Sequence, residues 1–214
     1  MTTDPFTAAV AAEVLAAAAA RRELLGSIVE VARAIFGARA ASIAVLDEAA
    51  GDFAFEAVAG AGEGELVGTR FAAGQGIAGA AAATGEPMVI DDLRADRRFA
   101  RDVAEGTGYV PDAIMVAPLL RGERTLGVLS VLDRQRLRPG LEDLRLLEAF
   151  AGQAAQALEL SDAARRAARL LEGADGPAGL AAVGPLLRRL LATEDPDRRA
   201  AAIALLEALE ALLR

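Results

Sequence analysis

The sequence predicts an α+β fold: an antiparallel sheet of five to six strands, covered by long helices from both ends and followed by extra C-terminal helices. Three observations predict it. Short apolar segments come in pairs joined by short turns, the mark of antiparallel hairpins. Long segments of helical period stand before the first pair and after the last. Read along the chain, the order is helix, two strands, short helix, three strands, long helix.

Residues 8–36 read as the first helix, with Leu25, Ile28, Ala32 and Ile35 at helical spacing and Gly37 where a C-cap glycine belongs. Ser42–Leu46 is a short strand, Asp47–Asp52 a turn, and Phe53–Val58 the returning strand. Residues 60–73 are glycine-rich, with a short strand expected at Glu65–Gly68. An Ala-rich helix follows from Ile77 to Ala83, closed by Thr84-Gly85-Glu86-Pro87, and Met88–Ile90 is the next strand. Residues 91–112 read as a long irregular connection, a type usually tied to function. Ala113–Leu120 and Arg124–Leu132 form a hairpin turning at Arg121-Gly122-Glu123; both arms are apolar, which places them centrally in a sheet. A helix runs from Leu141 to about Glu172, a Gly/Pro break spans Gly173–Gly179, and helices are expected at about 180–192 and 196–213. Asp195 before Pro196 is an N-cap followed by proline at the first helical position.

Composition excludes whole classes of chemistry. Among 214 residues there is no Cys, His, Trp, Lys or Asn. Without thiolate or imidazole there is no ordinary zinc site and no such ligand for haem. Neither a Ser-His-Asp nor a Cys-His catalytic group can be built, and a lysine Schiff base is equally impossible. The net charge of −8 disfavours a nucleic-acid surface. No run of about 18 uncharged apolar residues is present, so no membrane span is expected. The first residues lack the basic start of a signal peptide, and the lack of cysteine points to a cytoplasmic setting.

Gly74-Gln75-Gly76-Ile77-Ala78-Gly79 spells G-x-G-x-x-G, the dinucleotide fingerprint, with Asp91 near the place of a ribose-binding acid. Its context argues otherwise. The preceding Gly68–Ala73 is too polar for a buried parallel strand, and the helix is too short for a crossover. The plain reading is that these glycines permit a tight turn and close helix–sheet packing.

In their order, Phe71–Gly79, Thr84–Asp91, Asp96-Arg97-Arg98-Phe99, Val116-Ala117-Pro118-Leu119, Leu126–Leu129 and Glu142-Asp143 to Ala155 closely resemble a GAF domain, over about residues 22–160. The resemblance implies a sensory or regulatory module that holds a cyclic nucleotide, a bilin, haem or a small metabolite beside its sheet, or holds nothing. It also implies three parts: a helical extension at 1–21, the sensory domain at 22–160 and a helical region at 161–214. Departures from the family narrow the choice. Bilin attachment and free methionine sulfoxide reduction use cysteine, haem binding uses histidine, and this chain has neither. Cyclic-nucleotide members carry an Asn-Lys…Phe…Asp-Glu signature after the last strand, where this chain has Asp133-Arg134.

The candidate pocket lies between the sheet and residues 91–112, with Phe71, Asp91, Asp92, Phe99, Tyr109 and Met115 as ligand-binding candidates. Phe55 reads as packed strand core. Phe99 and Tyr109 read equally as core or as lid, and the Tyr109 hydroxyl would orient a polar ligand group. Asp91 and Asp92 would do acid–base work or hold a hard cation, or else cap a turn; the turn is the simpler reading. No catalytic residue, metal site or cofactor is expected.

Leu144, Leu147, Ala151, Ala154 and Leu158 follow spacings of three and four, the seam of a coiled coil or a stripe packed on the domain's own sheet. A homodimer through the terminal helices is the expectation, with a protein partner on the C-terminal helices as a further role. The leading functional expectation is a non-catalytic sensor of an unidentified small molecule. Its alternative is a ligand-free dimerisation or scaffolding module.

Overall fold

The computed structural model describes residues 5–106, 108–135 and 140–172. The helices expected at 180–192 and 196–213 lie outside the described residues. Residues 16–162 form one compact unit, and the helical residues 5–15 and 163–172 belong to another.

The elements follow in this order: α1 Pro5–Phe36, β1 Ala40–Asp47, β2 Asp52–Gly60, α2 Glu63–Leu66, β3 Arg70–Ala72 and α3 Gly76–Thr84. After them come β4 Met88–Ile90, α4 Arg101–Gly106, β5 Ile114–Arg121, β6 Arg124–Leu132 and α5 Leu141–Glu172. The six strands form one sheet in the order β3-β2-β1-β6-β5-β4. Every neighbouring pair is antiparallel. The apolar hairpin β5–β6 lies in the interior of the sheet, between β1 and β4, as its composition requires.

Three local readings are corrected. The strand expected at Glu65–Gly68 is instead the single turn α2, and the edge strand lies at Arg70–Ala72. The displacement has an electrostatic cause. Arg70 forks onto Asp52 with Nε and Nη2 at 2.8 and 2.6 Å and also reaches Asp47 at 2.6 Å, which pins it beside the β1–β2 turn. Within the irregular connection sits the short helix α4, carrying an Arg101–Glu105 ion pair one turn apart. On α1 the buried stripe is Leu25, Ile28, Val29, Ala32 and Phe36, while Ile35 is 54% exposed.

The sheet is buried on both faces. One face takes α1 and α5: Leu25 and Val29 pack with Ile43, Met115, Leu129 and Leu147. The other face gathers Phe53, Ile77, Ala81, Leu93, Val116 and Val128. A bulge in β2 decides which side chains reach which face. The register shifts between Ile43 and Ala44, so Val58 opposes Ser42 while Phe55 opposes Ala44. That extra residue inverts strand parity and puts Phe53 and Phe55 on the α3 face with Val58.

The seam assignment on α5 is resolved by this packing. Leu147, Ala151, Ala154 and Leu158 are buried in the domain's own core, and Leu144 packs at its edge. Over these residues the stripe packs on the domain's own sheet. Among the described side chains, the large apolar ones left exposed on these helices are Leu24, Val31 and Ile35 on α1, and Leu141, Leu146 and Leu160 on α5.

Candidate functional site

The site is assembled from the sheet outward. Side chains alternate along a strand, so Ala40, Ser42 and Ala44 of β1 share one face with Val128, Ser130 and Leu132 of β6. These residues floor a cavity of about 130 Å³. Phe55 and Phe71 wall one side, with ring centroids 5.2 Å apart. α3 contributes Ile77 and Ala78, and α2 contributes Leu66. The roof is the 92–112 connection, through Leu93, Phe99, Ala100, Ala104 and Tyr109. Among the described lining residues none is charged, and Ser42, Gln75, Tyr109 and Ser130 supply the polar side chains.

Phe99 reaches the cavity because of the turn before it. Asp96 accepts the Arg98 backbone N–H at 2.9 Å and the Arg98 guanidinium at 3.0 and 2.7 Å, while the Phe99 N–H donates to the Asp96 carbonyl at 3.1 Å. The Arg98 side chain, then its backbone N–H, holds the Asp96 carboxyl down at about 2. The Asp-Arg-Arg-Phe segment is therefore a self-fastened turn that aims its aromatic ring inward.

Tyr109 is fastened at the other end of the roof. Its hydroxyl donates to Asp133, which also accepts the backbone N–H groups of Asp112 and Ala113, each at 2.9 Å. Asp133 sits at φ 49°, a left-handed conformation that aspartate tolerates and that turns its carboxylate back over the connection. Burial first, then the Asp133 bond and charge, push the Tyr109 hydroxyl well above its ordinary range, so it stays a donor. The Arg39 guanidinium lies 5.5 Å from the Tyr109 ring centroid.

The start of the connection is tied to the next residue of the same strand exit. Arg134 ion-pairs with Asp91; its side chain is 3% exposed. Asp92 instead accepts the backbone N–H of Arg94 at 3.1 Å, a capped turn. The two carboxylates thus diverge, and neither lines the cavity. Of the sequence candidates, Phe71, Phe99 and Tyr109 meet around the cavity, and Phe55 joins them. Met115 is fully buried on the opposite face, against the helices, because β5 presents Ile114 and Val116 to the cavity side. Sequence reasoning passed over Ser42 and Ser130. Their signal is a polar residue on the inward phase of an apolar strand.

The glycine motif has a steric explanation. Gly76 lies at φ +74°, and a Cβ there would stand 3.3 Å from the Ala100 Cβ. At Gly79 a Cβ would lie 2.6 Å from the Ala73 carbonyl oxygen. The pattern serves a tight turn and the close approach of α3. Among the described residues no helix is long and apolar enough to cross a membrane.

Comparison with known proteins places this architecture. The family model for the GAF domain matches residues 20–158. A probable 3',5'-cyclic phosphodiesterase of Caenorhabditis elegans, pde-5, is 30% identical over 125 residues, 57% of this chain but only 17% of that protein. The GAF domain of a phosphoenolpyruvate-protein phosphotransferase from Coxiella burnetii superposes with a TM-score of 0.61 at 17% identity, covering 73% of this chain and 95% of that one. The free methionine-R-sulfoxide reductase of Neisseria meningitidis, solved with its substrate, gives a TM-score of 0.56 at 19% identity, covering 77% and 96%. The two structural likenesses speak to the fold alone. With a six-stranded antiparallel sheet, flanking helices and a family match across most of its length, the chain belongs to the GAF domain family, a regulatory small-molecule-binding fold.

Proposed function

We propose that residues 22–160 form a sensory domain that binds a small molecule in the cavity and signals through its terminal helices, without catalysing a reaction. The observation that carries this reading is the cavity of about 130 Å³ on the sheet face opposite α1 and α5, roofed by a connection fastened at both ends to the two residues that follow β6. A pocket with apolar walls and few directed polar groups suits binding. The chain has no cysteine or histidine, and the described lining residues carry no charged side chain for acid–base or nucleophilic work, which supports a non-catalytic role. Residues 1–21 and 161–214 flank this domain, and the second would serve as a platform for a protein partner. The setting is cytoplasmic, in keeping with the absence of cysteine.

The coupling runs through two adjacent residues. Asp133 and Arg134 hold the two ends of the roof and lead out of β6 toward α5. A ligand that draws Phe99 and Tyr109 inward acts on this exit. The signal is a shift between two helix packings, set by the ligand's differential affinity for them. Dimerisation uses the apolar stripe Leu24, Val31 and Ile35 of α1, which repeats at near-helical spacing and lies exposed. The same stripe would serve a ligand-free scaffold.

Filling the cavity tests the proposal. Ala44 is 2% exposed on the cavity floor, and Ala44→Leu places extra carbons in the space a ligand would occupy. Native mass spectrometry of wild type purified from its own host is expected to retain a small molecule that the folded variant lacks. Equal retention by both would overturn the site.

A further inference from the structure

Ser42 and Ser130 are out of place by the rules that build the rest of the sheet. They lie on the two central strands, directly opposite each other in the β1–β6 register. Their neighbours on the same face are Ala40, Ala44, Val128 and Leu132, all apolar. Each serine is 7% exposed and lines the cavity. Among the described residues neither hydroxyl is hydrogen-bonded to a protein group, and both oxygens open onto the cavity instead of being sealed in the core. A hydroxyl that faces an apolar cavity without a protein partner adds little to the fold, and alanine would serve both positions as well. Two such groups paired at the centre of a ligand-sized space point to a ligand that satisfies them.

Resting on the cavity reading above, we propose that this domain selects a small, flat, uncharged ring carrying one hydrogen-bonding group, seated on the Ser42–Ser130 pair beneath Phe99. Five points define the class. Cross-strand partners hold their Cβ atoms roughly 5 Å apart, so both hydroxyls reach one ligand heteroatom group from either side. A hydroxyl both donates and accepts, so the pair takes a phenolic O–H, an amide or a ring nitrogen alike. Phe55, Phe71 and Phe99 line the cavity with aromatic side chains, which suit a flat ligand. The volume of about 130 Å³ resembles a cavity that admits a single benzene ring (~150 Å³) and falls short of the ~300 Å³ usual for larger ligands. An ionised group would find no counter-charge among the described lining residues, which disfavours an anionic nucleotide in this conformation.

The experiment uses the full chain and three ring probes: phenol, benzene and benzoate. Binding is read from amide resonances of the cavity-lining residues, in wild type and in Ser42→Ala/Ser130→Ala. Wild type is expected to bind phenol at least tenfold more tightly than benzene and to ignore benzoate. The double variant is expected to lose that preference to within about threefold and keep its benzene affinity. Without ligand the variant should melt at or above the wild-type temperature, because it sheds two unpaired hydroxyls; this excludes misfolding as the cause. Ser42→Thr/Ser130→Thr keeps both hydroxyls and should retain a preference for phenol. Benzoate binding as tightly as phenol, or a phenol preference that survives in the alanine variant, overturns the ligand class but leaves the cavity standing. If none of the three probes moves the cavity resonances, the cavity reading fails and takes this inference with it.

Discussion

Tyr109→Phe removes one hydroxyl and nothing else from the roof. The lost bond runs to Asp133, a charged acceptor, so its full value falls near 1.5–3 kcal/mol. Tyr109 is half-buried, and water partly compensates, which puts the cost near the lower end, ~1.5 kcal/mol. Asp133 keeps its two backbone donors, so the carboxylate is not stranded and the chain reversal at 112–113 survives. The loss is therefore local. Amide exchange of Ala104, which bonds to the Ala100 carbonyl at 3.1 Å, and of Gly108, bonded to Glu105 at 3.2 Å, should accelerate about tenfold. Amides of β5 and β6 should not change. The pH course follows from sign. The folded hydroxyl titrates above its ordinary value of 10.0, so its contribution is complete below about pH 10 and fades as pH rises through the folded value. The difference between variant and wild type should then be flat across the neutral range. Unchanged exchange at Ala104 and Gly108, or acceleration spread evenly over the sheet, would refute the idea that Tyr109 latches the roof.

Asp96 should titrate near 2 by carboxyl NMR, and Arg98→Ala should raise that midpoint while leaving it below the ordinary 3.8, since the Arg98 backbone N–H remains a donor. Because the folded value is depressed, the turn's contribution is present above pH 3.8 and is lost as pH falls toward 2; Phe99 should loosen over that window. Leu147→Ala should cost ~2–5 kcal/mol in denaturant unfolding, because the side chain is fully buried against the sheet, and should leave the assembly state alone. Val31→Glu/Ile35→Glu should do the reverse, with light scattering reporting a monomer and little change in domain stability. A wild-type monomer at tens of micromolar, an order-of-magnitude choice, removes the dimer proposal.

Local chemistry made most of the fold legible. Met88–Ile90, Arg124–Leu132 and Leu141–Glu172 were bounded correctly by period, turn residues and the Gly/Pro break, all properties of neighbouring residues. The absence of cysteine and histidine bounded the chemistry before any coordinates were needed. What escaped depends on contacts distant in sequence. The edge strand moved to Arg70 because Asp47 and Asp52, some twenty residues earlier, capture its guanidinium. The helix α4 is too short for periodicity to register. The sequence suggests a pocket place for Met115 and leaves the Leu147 stripe open between a seam and the domain's own sheet; both lie in the helix-covered core, because sheet pairing fixes which parity points where. A strand's sequence announces alternation without naming its faces. The β2 bulge and the β1–β6 register decide that, and only they bring Ser42 and Ser130 side by side on the floor of the cavity.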